Sequence, residues 1–222
     1  MSSKTKPLVE LGLMGGMFDP VHYGHLNTAR AVCRHLQLDD LHFLPCGNPV
    51  HRPGLLEDAA QRLAMLALVT DDTAGLHVDD RECRSAAPSY TIDSLRAIRA
   101  ERSGCRLYYV MGQDAFNGFH TWKAWREIFG LAHLVVAARP GYAPDLAPEL
   151  AGELRDRKAN TREQMKEADC GLIYLAQLED LDISSTLVRD RLRRGEAVDA
   201  LLPPAVAAYI KDHGLYLAKE QT

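Results

Sequence analysis

Apolar runs of strand length recur along the chain with helix-patterned segments between them, and this alternation constrains the fold more than any other feature. The runs are LVELGLM (8–14), LHFLP (41–45), LHV (76–78), RLYYVM (106–111), HLVVAA (133–138) and LIYLA (172–176). Between them, residues 24–36, 57–70, 91–101, 123–131 and 185–194 place apolar residues three and four apart, the spacing of an amphipathic helix. Strand followed by helix, repeated, predicts an α/β fold built on a single doubly wound, mainly parallel sheet. The 222 residues, 46% of them hydrophobic, are enough for one domain over 1–222 with a sizeable core. Residues 141–169, rich in Pro, Ala, Glu and Arg, are expected to lie outside the sheet. Sheets of this kind bind ligands beyond the carboxyl ends of their strands, so the loop after each strand is where function is sought.

Composition narrows the ligand. With 26 Lys and Arg against 30 Asp and Glu the net charge is −4, and no long run of like charge supplies a basic footprint for nucleic acid. Five cysteines, widely spaced and never as C-x-x-C, exclude a disulfide framework or a zinc site and suit a reducing compartment. The opening MSSKTKPLVE has no signal-peptide core, and no apolar stretch is long enough to cross a bilayer. The expectation is a cytoplasmic protein that acts on small molecules, with no nucleic acid or membrane partner.

The loop after the first run reads GGMFDPVHYGH (15–25). Gly15 and Gly16 would let the backbone take positive φ and bring its N–H groups close to a ligand. Asp19-Pro20 turns the chain, and a helix starting near Tyr23 or Gly24 would present unpaired N–H groups and the positive end of its dipole, an anion site. His22 and His25, three apart at that start, fall on one face and can address the same anion. The loop is neither a Walker A sequence nor G-x-G-x-x-G. A second stretch, ISSTLVR (183–189), opens the helix after the last run: Ser184, Ser185 and Thr186 supply caps and hydroxyls, and Arg189 lies on the face of Ser185 and Thr186.

GGMFDPVHYGH resembles the motif G-G-(T/S)-F-D-P-x-H-x-G-H of the H-x-G-H nucleotidyltransferases, with Met17 where that family has Thr or Ser, and ISSTLVR resembles its I-S-(S/T)-T-x-x-R. Within the superfamily the chain is similar to the bacterial nicotinate mononucleotide adenylyltransferases over nearly its whole length. That similarity takes in LPCGNPVHR (44–52, with Arg52 at a lysine position), PSYTIDSL (88–95), MGQD (111–114), Trp122 and Trp125, ARPG (138–141) and LLPPAVAAYIKDHGLY (201–216).

The resemblance implies a Rossmann-like nucleotidyltransferase fold and adenylyl transfer from ATP to nicotinate mononucleotide, with magnesium accompanying ATP. It implies that Gly15, Gly16, Met17, Phe18, His22, His25, Arg52, Ile183, Ser184, Ser185, Thr186 and Arg189 bind ATP, and that His22, His25 and Arg189 act in catalysis. It further implies that Tyr90, Thr91, Gly112, Asp114, Trp122 and Arg139 bind the mononucleotide, Asp114 at a ribose hydroxyl and Trp122 against the pyridine ring, whereas Trp125 packs. In PSYTIDSL, Ser89 or Thr91 can cap a helix whose first N–H groups, at Tyr90 to Ile92, would donate to the nicotinate carboxylate. Two alternatives share the phosphate motifs: transfer to another acceptor, such as phosphopantetheine or a polyol phosphate, and a nucleotide-binding regulator without turnover.

Overall fold

The structure, a computed structural model, describes residues 8–47, 57–71, 73–85, 87–138, 141, 143–178 and 183–217. Arg52 and Arg139 lie outside the described residues. The strands among the described residues are β1 (Val9–Gly16), β2 (Asp40–Pro45), β3 (Leu76–Val78), β4 (Cys105–Gly112), β5 (His133–Ala138), β6 (Lys158–Ala159) and β7 (Ile173–Gln177). The helices are α1 (Tyr23–Leu36), α2 (Ala59–Thr70), α3 (Thr91–Glu101), α4 (Gln113–Asn117), α5 (Trp125–Ile128), α6 (Pro148–Arg157), α7 (Arg162–Met165), α8 (Ser185–Arg193) and α9 (Pro204–Asp212).

All seven strands join one sheet in the order β3-β2-β1-β4-β5-β7-β6, and every pairing is parallel. The chain runs outward from β1 through β2 to β3, then returns to place β4 on the other side of β1. The strand order therefore switches between β1 and β4, where a doubly wound sheet opens a crevice. Alternation along each strand sends side chains to two cores. Tyr108 and Val110 of β4 join Met14 against α1, α2, α8 and α9 on one face. Leu107, Tyr109 and Met111 join Leu11 and Leu13 against α3, Phe116 and Ile128 on the other. None of the helices among the described residues is long and apolar enough to cross a membrane.

Two expectations need correction. Residues 141–169 do not lie wholly outside the sheet, because β6 pairs with β7 at its edge through Lys158 and Ala159. Two residues are too few for an apolar pattern to register. Residues 123–131 are not one helix: only Trp125–Ile128 is α-helical, after a 3₁₀ turn at Phe119–Thr121 and a left-handed Ala124 (φ 50). The apolar spacing there serves an aromatic cluster, with Phe119 edge-on to Trp125 at 5.7 Å and to Phe129 at 5.8 Å.

Candidate active site

At the carboxyl end of β1 both glycines are needed for close packing and neither has positive φ, contrary to the expectation from sequence. A Cβ on Gly15 would run into the Tyr109 hydroxyl, and one on Gly16 would come within 2.8 Å of the Phe18 ring. The left-handed residue is Phe18 (φ 50), which tucks its buried ring edge-on beneath His25 at 4.9 Å and against Phe43 at 5.4 Å. Asp19-Pro20 is cis. His22 takes the extended backbone of a helix N-cap (φ −147, ψ 171), yet its side chain makes no capping hydrogen bond. Its imidazole stacks on that of His25 with ring centroids 3.8 Å apart. Burial pushes the His22 pKa down to about 4 and that of His25 well below its ordinary value, the neighbouring His22 adding to the latter. Both rings are thus neutral near pH 7, and each has one N–H to donate.

The N-terminus of α8 meets this turn from some 165 residues further along the chain. Ser184 caps α8 by accepting from the Leu187 N–H (3.1 Å), and the Ser185 hydroxyl donates to the Pro20 carbonyl (3.1 Å). Arg189 donates to the Asp19 carbonyl through Nη1 (2.7 Å) and to the Thr186 hydroxyl through Nη2 (3.3 Å). Gly24 keeps α1 close to α8, since a Cβ there would sit 3.1 Å from the Ile183 carbonyl oxygen. Two helix N-termini, a histidine pair and an arginine converge, an arrangement suited to a polyanion.

Hydrogen bonding separates this region from the rest of the interior. At the opposite end of the same strands, Glu10 accepts from Arg106 (2.7 Å) and Tyr108 (2.6 Å). The core histidine His133 uses both ring nitrogens, on Ala168 and Leu172. By contrast His22 Nδ1, His25 Nδ1, Arg62 Nε and Arg189 Nε are buried without a partner among the described residues, as is His120 Nδ1 in the turn before Trp122. Buried polar atoms are nearly always paired, so such a concentration points to a missing ligand.

Beside the turn, between the carboxyl ends of β1 and β4, lies a cavity of about 200 Å³. Gly15, Gly16, Met17, Tyr90, Thr91, Gly112 and Trp122 line it, so the structure brings these expected residues together. Asp114 is not in the lining; it is exposed on the first turn of α4. Nor do Ser89 and Thr91 cap α3 as expected: the N-cap is Tyr90, with no side-chain capping bond. Ser89 instead accepts from the Gly47 N–H (3.3 Å), and Thr91 pairs with the Tyr109 hydroxyl (3.3 Å). The first turn of α3 therefore faces the cavity uncapped.

Sequence reasoning missed several residues here. Glu82, Cys46, Tyr109 and Lys123 line the cavity. Glu82 accepts from the Ser94 hydroxyl (2.6 Å), and burial raises its pKa against the pull of its hydrogen-bond donors. Arg62 of α2 is fully buried and ties the ends of β1 and β2 together, donating to the Met17 and Cys46 carbonyls at 2.8 Å each. A lone arginine in a helical pattern reads as solvated, so no signal in the sequence could have singled it out.

The cytidylyltransferase-like family model matches residues 13–191. The probable nicotinate-nucleotide adenylyltransferase of Laribacter hongkongensis is 44% identical over 212 residues, covering 95% of this chain and 96% of that protein. Its counterpart in Methylococcus capsulatus is 40% identical over 207 residues, covering 93% and 99%. Among solved structures, that of Plasmodium falciparum nicotinic acid mononucleotide adenylyltransferase complexed with NaAD superposes with a TM-score of 0.71 at 16% identity, covering 93% of this chain and 97% of that one, which shows the shared fold. The matched region runs from β1 through both helix N-termini that meet at the histidine turn, and the chain belongs to the cytidylyltransferase-like family and, within it, to the nicotinate-nucleotide adenylyltransferases.

Proposed function

We propose that the chain transfers the adenylyl group of ATP to nicotinate mononucleotide, releasing pyrophosphate. The observation that carries this reading is the stacked histidine pair, its Nδ1 atoms buried and unpartnered, beside a cavity with an aromatic wall. A phosphate oxygen of the mononucleotide forms a bond to the α-phosphorus while the bond from that phosphorus to the oxygen bridging to the β-phosphorus breaks, and pyrophosphate leaves with the electron pair. No protein nucleophile is needed; the enzyme positions the reactants and balances charge.

In this reading the neutral His22 and His25 donate to the α- and β-phosphates where charge develops, together with backbone N–H groups of Gly16, Met17 and Phe18. Arg189, Ser184 and Thr186 hold the departing β- and γ-phosphates. Ser185, whose proton is committed to Pro20, sets the position of α8 instead. ATP enters as its magnesium complex. The groups assigned to the phosphates here are N–H and O–H donors. That donor set is compatible with a magnesium ion that would arrive with ATP, and the chemistry it would supply is to offset phosphate charge.

The pyridine ring enters the cavity against Trp122, and its carboxylate meets the uncapped first turn of α3. A carboxylate accepts from such donors with both oxygens, whereas a carboxamide turns its own NH₂ toward them and leaves a mismatch of roughly 1–3 kcal/mol per group. Lys123 lies 4.2 Å over the Tyr90 ring at the cavity wall, with its ammonium paired to Asp93 of that turn of α3 (2.8 Å). The test is pyrophosphate release from ATP with a panel of acceptors. Nicotinate mononucleotide is expected to give the highest kcat/KM. Equal or better turnover of its amide, of phosphopantetheine or of a polyol phosphate would overturn the reading. The five unpaired thiols support a reducing, cytoplasmic setting.

A further inference from the structure

We propose that Tyr216 is a positioning residue for adenylyl transfer: its hydroxyl, reaching in from the C-terminal tail, holds Asp19 and so aims Arg189 and the histidine turn at the triphosphate. The inference rests on the function proposed above.

Asp19 is fully buried inside the phosphate turn. A buried carboxylate is costly unless hydrogen bonds satisfy it. The Tyr216 hydroxyl donates to Asp19 Oδ1 at 2.6 Å, in the short range of charge-assisted bonds, across 197 residues of sequence. Burial and the neighbouring Asp19 hold the phenol far above its ordinary pKa, so it is always a donor.

Tyr216 also sits in the left-handed region at φ 61, a conformation unfavourable for an aromatic residue that persists only where the surroundings impose it. Those surroundings are on either side of it. Leu215 N–H donates to the Ile210 carbonyl (3.0 Å), and Tyr216 N–H donates to Glu57 Oε1 (3.4 Å). The same C-terminal segment grips the turn a second time where Tyr23 N–H, at the start of α1, donates to the Leu201 carbonyl (3.0 Å).

Asp19 is thereby a joint. Its side chain is held by Tyr216 and its carbonyl by Arg189, while the carbonyl of the next residue, Pro20, accepts from Ser185. The Tyr216 bond anchors residue 19, and a shift of its backbone once that anchor is lost carries with it the carbonyl that Arg189 is seated on. A displacement of about 1 Å at reacting groups is enough to cost a hundredfold in rate.

A tyrosine that only filled the core would be replaced by phenylalanine at little loss, since the ring is kept. Tyr216→Phe removes the one hydroxyl and is the discriminating variant. Its initial rates are measured with both substrates varied, its affinity for inorganic pyrophosphate by calorimetry, and its affinity for nicotinate mononucleotide by tryptophan fluorescence. The expected result is kcat lowered about tenfold, KM for ATP raised and pyrophosphate binding weakened severalfold, with mononucleotide affinity unchanged within twofold. Wild-type values for kcat, ATP and pyrophosphate overturn the proposal, and so does an equal loss toward both substrates, which marks general damage.

A paired comparison covers the case in which Tyr216→Phe does not fold, because Asp19→Asn removes the buried charge while its amide oxygen still accepts from Tyr216. Asp19→Asn alone is expected to bind pyrophosphate more tightly than Asp19→Asn combined with Tyr216→Phe; equal affinities overturn the proposal. The pyrophosphate measurements do not depend on the acceptor. If wild-type enzyme used a different mononucleotide, the function proposed above would fall while this comparison still decided the role of Tyr216.

Discussion

His22 and His25 stack at 3.8 Å and are kept neutral by burial, so in the proposed reaction they would offer the triphosphate two N–H donors held in place before it arrives. Loss of one preorganised donor to a developing charge is worth a factor of about 10²–10³. His22→Ala and His25→Ala are each expected to lower kcat by that factor while circular dichroism stays that of the folded protein; near-normal turnover in either variant removes the role assigned to the pair. Bound phosphate acts on these rings in the opposite sense to burial, raising their pKa. ATP binding should therefore take up protons at mildly acidic pH. Calorimetry in buffers of different ionisation enthalpy reads this directly, and a binding heat independent of buffer would count against phosphate lying beside the imidazoles. Arg189 divides the substrates: Arg189→Ala is expected to raise KM for ATP severalfold and leave mononucleotide affinity unchanged, and unaltered ATP kinetics would return it to the surface.

At the scale of elements, the site lies where three chain segments meet: the carboxyl end of β1 at Gly16 and the N-termini of α1 and α8. The absence of a side chain at Gly15 leaves room for the Tyr109 hydroxyl of β4 to pack against β1. Gly15→Ala forces that contact apart, and overpacking of this kind costs typically about 1–3 kcal/mol. The variant should show a lower denaturation midpoint and weakened mononucleotide binding, since Tyr109 lines the cavity. Removing the clashing oxygen with Tyr109→Phe should recover part of the stability. If the double variant is no more stable than Gly15→Ala, the contact is not what the glycine is for.

Across the whole molecule, buried neutral imidazoles tie stability to pH. His22 and His133 are both lowered to about 4 by burial, and His25 shifts in the same direction. Unfolded, each would take a proton near its ordinary 6.5, so the unfolded chain binds more protons than the folded one between roughly pH 6.5 and 4. Their stabilisation is fully present above pH 6.5 and is lost as the pH falls toward 4. Each pH unit in that window corresponds to about 1.4 kcal/mol per such histidine. The denaturant midpoint is expected to drop between pH 7 and 5, and a flat profile would mean that the rings are charged in the folded state.

The alternation of apolar runs was sufficient for the parallel sheet and its two helical layers, because side-chain period and run length are local properties of the chain. The turn after β1 and the start of α8 were legible as element boundaries for the same reason: glycine, Asp-Pro, capping hydroxyls and histidines at helical spacing lie within ten residues of one another. Trp122, Tyr90 and Thr91 could be assigned to one cavity only by resemblance, and the sheet then placed them together beyond β1 and β4. Which residue of GGMFDP took positive φ was decided by packing, since the rings of Phe18, His25 and Phe43 had to meet. Arg62, Glu82 and Tyr216 were invisible in the sequence because their partners lie in distant segments: Met17 for Arg62, Ser94 for Glu82 and Asp19 for Tyr216. A hydrogen bond between remote segments leaves no periodic trace in either. The sequence by itself determined most of the element types, the turn after β1 and the polar groups offered there; tertiary structure alone decided which buried polar atoms are paired internally and which are not, because that pairing joins remote segments.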